Sequence, residues 1–417
     1  MLSPPTSTSN TPDQPKEEEE RIVAKVRIPD GGLRAWSVVL GGFLNFITAF
    51  GIMNSFGVFQ SHYGLAVLEN EAVSTVAWIG SVQLFLMFVG GLFVGPAFDR
   101  WGARRIMIPG AIICVMSHIC TSFASKYYQI LLSQGFLFGI RNAMLYYPTA
   151  GAITEWFNKR RALALGLAIS GSSIGGIVWP LLISRLLISV GFSWTHRIIA
   201  FSSLPVLAIA CFLVKERKGA VGHDIHGHRL RSPPRLFKEI FQRQFLALCA
   251  SLFFVFMGML VPFNYIGLYA GAVGLPDYMG SRLLAICYAG SVVGRILNGW
   301  IADRLGRFNV LIAISLATGV LILCWTRMTT LAGQVIFALF YGFFSGGLVP
   351  LGSACVAQTT TDIGHLGLRI GVMMALCSPG TLTGNPIAGV LLAKLSKWEA
   401  VHVFAGSTVL LGTILLL

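Results

Sequence analysis

Twelve stretches of this chain are continuously apolar over about twenty residues each, and that pattern leaves few folds open. They lie near 36–60, 73–98, 106–123, 128–153, 163–190, 197–214, 245–271, 282–301, 309–326, 332–356, 367–393 and 400–417. A helix needs about 20 apolar residues to cross the hydrocarbon core of a bilayer. Within that core every backbone N–H and C=O must be satisfied inside the protein, so only helices and closed barrels span it. Barrel strands alternate apolar and polar residues over about ten positions, and these runs do not alternate. The chain therefore reads as an all-α membrane protein with twelve transmembrane helices. A polar stretch splits them six and six. The expected organisation is an N-terminal tail (1–34), a six-helix bundle (35–214), a linker (215–244) and a second six-helix bundle (245–417).

Charged residues make up 12% of the chain, against about 25% in soluble domains. The net charge is +14, yet its placement argues against nucleic acid as a partner. Arg100, Arg104 and Arg105 share one loop, and Lys159, Arg160 and Arg161 share another. The linker holds a third basic group, from Lys215 to Arg243. These segments fall on one side if the N-terminus is cytoplasmic, which is the positive-inside pattern. Attraction to anionic lipid is a secondary effect. The tail, SPPTSTSNTPDQPKEEEE, has no apolar signal-peptide core and too little apolar surface to fold. The eight cysteines all lie in apolar runs, none in a Cys-x-x-Cys pair, and read as small core residues. His223, His226 and His228 sit in the linker at loose spacing and read as solvated, not as a metal site. No nucleophile elbow, phosphate loop or metal constellation appears, so neither an enzyme nor a cofactor is expected.

One motif repeats. Gly95-Pro-Ala-Phe-Asp99-Arg100-Trp-Gly102-Ala-Arg104-Arg105 follows the second run, and Gly299-Trp-Ile-Ala-Asp303-Arg304-Leu-Gly306-Arg307 follows the eighth. Glycine lets two helices approach closely. The aspartate suits a neighbouring helix N-terminus, where the dipole is positive. The arginine beside it is expected to pair with that aspartate or with lipid phosphate. Gly95, Asp99, Arg100, Gly102, Arg104, Gly299, Asp303, Arg304, Gly306 and Arg307 are thus candidate gating residues.

Two six-helix halves carrying this repeated loop resemble the major facilitator superfamily, over about 36–417. The resemblance implies two pseudo-symmetric bundles, a site near the bilayer midplane and alternating access. Pro29-Asp-Gly-Gly-Leu-Arg-Ala-Trp36 and Trp156-Phe157-Asn-Lys159-Arg160-Arg161-Ala-Leu-Ala-Leu-Gly166 resemble the monocarboxylate porter family, its fungal branch above all. In that family a helix 8 arginine follows an aspartate by four residues, and both serve proton-coupled carboxylate transport. Arg295 matches the arginine, but the aspartate position holds Ser291. A helix 1 lysine of animal members falls on Asn54, and Arg141 stands where those members usually carry glycine. The resemblance thus implies a carboxylate-binding arginine without its usual proton-handling partners. Gly166, Gly175 and Pro180 follow the antiporter pattern of the superfamily in part, with Trp179 where that pattern has glycine.

Read from the residues themselves, a charge at bilayer depth is costly and marks a candidate site. Arg141, Arg185 and Arg295 qualify. Arg185 is near enough to its helix end to snorkel. Arg295 lies two helical turns from Asp303, so pairing within the chain competes with a ligand role. Every aspartate and glutamate falls in a loop or tail. The deep arginines therefore lack an obvious counter-ion, and a guanidinium fork matches a carboxylate. The expected substrate site is Arg295 and Arg141, with Asn54, Asn264, Tyr265 and Asn385 as polar company. Pro379 and Pro386 are expected to break helix 11, and His118 reads as a lone packed histidine. The expected function is secondary transport of a small organic anion, with a metabolite exporter as the alternative and a non-transporting sensor as the reading from another class. A monomer in the plasma membrane, surrounded by lipid, is expected. The chain ends inside helix 12, which raises the reading of a truncated gene product.

Overall fold

The computed structural model describes residues 30–63, 67–68, 71, 73–217, 242–276, 278–360, 366–395 and 397–417. Residues 1–29 of the expected tail, and 218–241 of the linker with His223, His226 and His228, lie outside the described residues.

Twelve helical rods account for the apolar runs. In chain order they are α1 (Leu33–His62), α2 (Val73–Val89 continued by Gly91–Trp101), α3 (Arg104–Ser122) and α4 (Tyr127–Ile130, Leu131–Leu137 and Phe138–Trp156). Then come α5 (Arg161–Ser189), α6 (Gly191–Leu213), α7 (Arg243–Ala272) and α8 (Tyr278–Leu305). The last four are α9 (Arg307–Trp325), α10 (Leu331–Thr359), α11 (Leu366–Leu395) and α12 (Trp398–Ile414). Among the described residues, nine are long and apolar enough to cross a membrane on length and composition alone. The other three depart from a straight rod. α2 bends by 41° at Gly90. α4 passes through a π-helical turn at Leu131–Leu137. α12 has 17 residues. The rods form two six-helix bundles, α1–α6 and α7–α12, the pseudo-symmetric arrangement implied by the repeat.

α11 departs from expectation. It runs unbroken through Pro379 and Pro386. Pro379 lacks the N–H that would serve the Ala375 carbonyl. The Ser378 hydroxyl donates to that carbonyl instead, at 2.8 Å. Hydroxyls that re-satisfy freed backbone groups let a proline persist inside a membrane helix. Gly380 and Gly384 then press against the carbonyls of Phe253 and Met257 on α7.

The two bundles meet along two seams. In one, Gly91 and Gly95 of α2 lie against Gly371 and Gly367 of α11. In the other, Ala162 and Gly166 of α5 lie against Gly299 and the Arg295 carbonyl of α8. A Cβ on Gly95 would overlap the Gly367 carbonyl, and one on Gly166 the Arg295 carbonyl. Only hydrogen fits at these crossings, and the close approach yields dispersion contact that lipid cannot supply.

Gly95→Val is expected to wedge the first seam apart. Overpacking of this kind costs about 1–3 kcal/mol, a shift of roughly 5–150-fold in a two-state equilibrium. Spin labels on the facing ends of α2 and α11 would read it as a longer distance.

Candidate functional site

Each seam ends at a helix N-terminus, and there the repeated aspartates act. The first N–H groups of a helix have no intrahelical partner. The Asp99 carboxylate, at the end of α2, accepts from Gly367 N at 2.9 Å and Leu368 N at 2.8 Å, at the start of α11. The Asp303 carboxylate, at the end of α8, accepts from Ala162 N at 3.1 Å and Leu163 N at 2.9 Å, at the start of α5. Each bond pair crosses from one bundle to the other. Each sets an anion on the positive end of a helix dipole.

The arginines divide differently from the expectation. Arg100 and Arg304 are exposed and lie over Trp101 and Trp300 rather than on the aspartates. An adjacent residue points about 100° round the helix, away from the aspartate. Arg307, the first residue of α9 past the left-handed turn at Gly306, takes the place beside Asp303 instead, Nε to Oδ1 at 3.3 Å, and also donates to Asn158 O. Arg104 turns to α6, donating to the carbonyls of Cys211 at 3.1 Å and Phe212 at 2.7 Å. Gly102 and Gly306 have φ of +78° and +97°, the left-handed region where a side chain is strained.

Above the Asp303 contact, the α5–α8 seam becomes polar. Arg295 is half-buried, and its guanidinium donates to Ile169 O and Ser172 Oγ of α5. Asn54 of α1 donates to Ser172 O at 3.3 Å. Ser173 donates to Ser291 at 3.1 Å, so the serine at the family's aspartate position joins the seam. Tyr146 of α4 and Ser353 of α10 pair at 3.2 Å, again across the bundles. All these partners are neutral. Among the described residues no carboxylate pairs with Arg295, and its Nε has no partner.

The other expected site residues lie apart from this cluster. Tyr265 donates to Asn385 O at 3.0 Å, joining α7 to α11, and the Asn385 Oδ1 is buried without a partner. Asn264 is exposed and donates back to Leu260 O of its own helix. Arg141 is sealed inside the N-terminal bundle, 0% exposed, with its guanidinium 3.8 Å from the Phe138 ring centroid. Its Nε, Nη1 and Nη2 have no hydrogen-bond partner. A ring face offsets about 2 kcal/mol when desolvated, less than the 3–5 kcal/mol lost when a buried charge is left unpaired.

This arrangement can be set beside known proteins. The family model for the Major Facilitator Superfamily matches residues 38–341. The chain belongs to that superfamily. MFS-type transporter pynF of Aspergillus niger is 42% identical over 418 residues, 99% of this chain and 95% of the relative. Aspyridones efflux protein apdF of Emericella nidulans is 37% identical, over 93% of this chain and 78% of its own. Agnestins efflux protein AgnL12 of Paecilomyces divaricatus is 35% identical, over 92% and 87%. Among solved structures, the human organic anion transporter MFSD10 matches with a TM-score of 0.70 at 18% identity, over 92% of this chain and 99% of that one. The transporter FucP matches with a TM-score of 0.73 at 14% identity, over 91% and 97%. This superfamily member is a multi-pass membrane transporter and not an enzyme.

Two features escaped the sequence reading. Asp30 is one. Its Oδ1 accepts from Asn158 N and Lys159 N, each at 2.6 Å, and from Arg160 N at 3.4 Å. Its own N–H donates to Trp156 O at 3.3 Å, and Trp36 meets Phe157 edge-on at 5.0 Å. The two sequence stretches that resemble the monocarboxylate porters are thus in contact. Asp30 has a φ of 52°, the only positive value at a non-glycine among the described residues, and aspartate tolerates that region better than most. The second is His196. The sequence placed it before helix 6, but α6 starts at Gly191, whose φ of +76° turns the chain directly out of α5. His118 is therefore not alone: its Nδ1 lies 3.2 Å from Nδ1 of His196.

Asp30→Ala strips the acceptor from three N–H groups that lead into α5. A lost cap costs about 1–2 kcal/mol. Amide exchange at Asn158 and Lys159 is expected to rise roughly tenfold, measured by mass spectrometry in detergent.

Proposed function

We propose that this transporter exports a small secondary metabolite, taking an anionic or acidic group of it on Arg295. The efflux names of relatives at 35–37% identity support export. The observation that carries the reading is where the Arg295 donors go. The Asp99 end of the molecule is closed here, with Asp99 and Asp303 seated on helix N-termini. In this closed state Ile169 O and Ser172 Oγ of α5 occupy the guanidinium. When the halves part at the Asp99 end, α5 withdraws from α8 and the fork is free for a ligand. Closing returns the α5 acceptors, which displace the ligand toward the opposite end. A ligand that binds one state better shifts the balance by its differential affinity, and here the competitor for the site is the other bundle.

The basic loops make the Asp99 end the cytoplasmic one under the positive-inside rule, so this cycle runs outward across the plasma membrane. The moving units are the bundles at 35–214 and 245–417, within a monomer surrounded by lipid. Asp99 and Asp303 are the latch, with Gly95, Gly299 and the turn glycines Gly102 and Gly306 as its fitted surfaces. Asn54 steadies Ser172 beside the site. The Asp30 and Trp36 contacts with the 156–160 loop support placing the chain near the monocarboxylate porters, with a changed cargo.

Arg295→Gln should weaken ligand binding about 10–100-fold, the loss of a charged hydrogen bond. Binding would be titrated in proteoliposomes with acidic secondary metabolites and simple monocarboxylates. A metabolite moved from the Asp99 side and lost in the variant supports export. Transport of simple monocarboxylates alone would sink it. Asp303→Ala should shift the population toward the state open at this end, seen as faster labelling of a cysteine put in place of the half-buried Leu163 of α5.

A further inference from the structure

The polar atoms buried inside the N-terminal bundle are out of balance. Arg141 presents Nε, Nη1 and Nη2 with no acceptor, at 0% exposure. His118 and His196 face each other through Nδ1, and the Nε2 atoms of both are buried without partners. A neutral imidazole carries one proton. One ring must donate its Nδ1–H to the other, and the accepting ring then holds its proton on Nε2. That Nε2–H is a further donor lacking an acceptor. Cys114 and His118 are titratable side chains placed to feel the guanidinium charge, and neither is a carboxylic acid. Among the described residues, the unpartnered acceptors buried in this bundle are one imidazole nitrogen, Asn45 Oδ1, Asn142 Oδ1 and Ser203 Oγ, all neutral. Among the described residues, no carboxylate is bonded to these positively charged donors. The ring face of Phe138 offsets part of that cost but less than all of it.

We propose that Arg141 holds a small inorganic anion of the chloride class inside the N-terminal bundle. One guanidinium and neutral neighbours call for a single negative charge. Complete burial calls for an ion that sheds its water readily and needs little room. The Phe138 ring covers one face of the guanidinium, so the ion sits at its N–H edge. This site is distinct from the export site: Arg295 lies on the seam between bundles, whereas Arg141 lies within one. The ion ties α4, which carries Arg141, to the histidine pair that joins α3 and α6, and so fixes the packing of the bundle.

The test is thermal unfolding of the full chain in detergent, in sodium chloride against sodium gluconate at equal ionic strength. Chloride should raise the melting temperature along a saturating curve, as a ligand bound only by the folded state does. Bromide should reproduce it. Arg141→Gln should flatten the response, while Arg295→Gln should keep it. Identical curves in the two salts, a response that never saturates, or one that persists in Arg141→Gln would each overturn the proposal. If Arg141→Gln does not fold, equilibrium binding of radioactive chloride decides. About one ion per wild-type chain, held more weakly by His118→Gln, supports the site. No bound ion, or equal binding by both, rejects it.

Discussion

A helix N-terminus leaves its first N–H groups unpaired, and in a membrane protein water is scarce where helices pack. The transporter meets that constraint by lending a carboxylate from the opposite bundle. Asp99 serves α11 and Asp303 serves α5. Most of the other features at this end make those two bonds reachable. The glycines of the seams bring the backbones close enough, and the left-handed turns at Gly102 and Gly306 end α2 and α8 just past their aspartates. Arg307, at the start of α9, reaches back across the Gly306 turn to Asp303. Because the partner lies on the other bundle, a bond that satisfies a helix end also records whether the halves are together. Capping and closure are one event.

The spans were legible because the bilayer permits so little else. Twelve apolar runs required twelve rods, and lipid cannot be bargained with over unpaired backbone. The aspartates were legible for a related reason: a repeat at matching places, with a residue type suited to a helix N-terminus, narrows its use to few options. The arginines beside them were misread because sequence adjacency was taken for spatial adjacency. A helix sends i+1 away, and the left-handed turn at Gly306 folds the chain back, so Arg307 at the start of α9 and not Arg304 meets Asp303. At Pro379, α11 differs from expectation by one hydroxyl: the proline alone predicts a break, and Ser378 beside it supplies the repair.

What was hidden is long-range register. Arg295 offered a charge without a counter-ion, and the sequence left its occupant open. That the α5 atoms taking its donors are Ile169 O and Ser172 Oγ depends on how the bundles are set against each other. Asp30 gave no signal either. Its partners lie 128 to 130 residues away in the chain, and they are backbone groups, which carry no mark in a sequence. Arg141 looked like a companion of Arg295 because both are deep and basic. Depth along the membrane normal is readable from position in a run, but the direction a side chain faces is not.

The two seams are alike in architecture and unlike in chemistry, and the proposed export cycle rests on that difference. The α2–α11 seam is glycine on glycine at Gly91, Gly95, Gly367 and Gly371, with a carboxylate only at its end. Nothing in it distinguishes one cargo from another. The α5–α8 seam begins in the same way, at Gly299 and Asp303, but then admits Arg295, Ser172, Ser173 and Ser291. A pseudo-symmetric duplication alone would give two mechanical seams. Placing one guanidinium on α8, against acceptors on α5, gives one seam a chemistry the other lacks. In the export cycle we propose, the glycine seam acts chiefly as the hinge surface while the other senses the cargo. A ligand competing at Arg295 would, on that proposal, act on closure directly, because what it displaces is the opposing bundle itself.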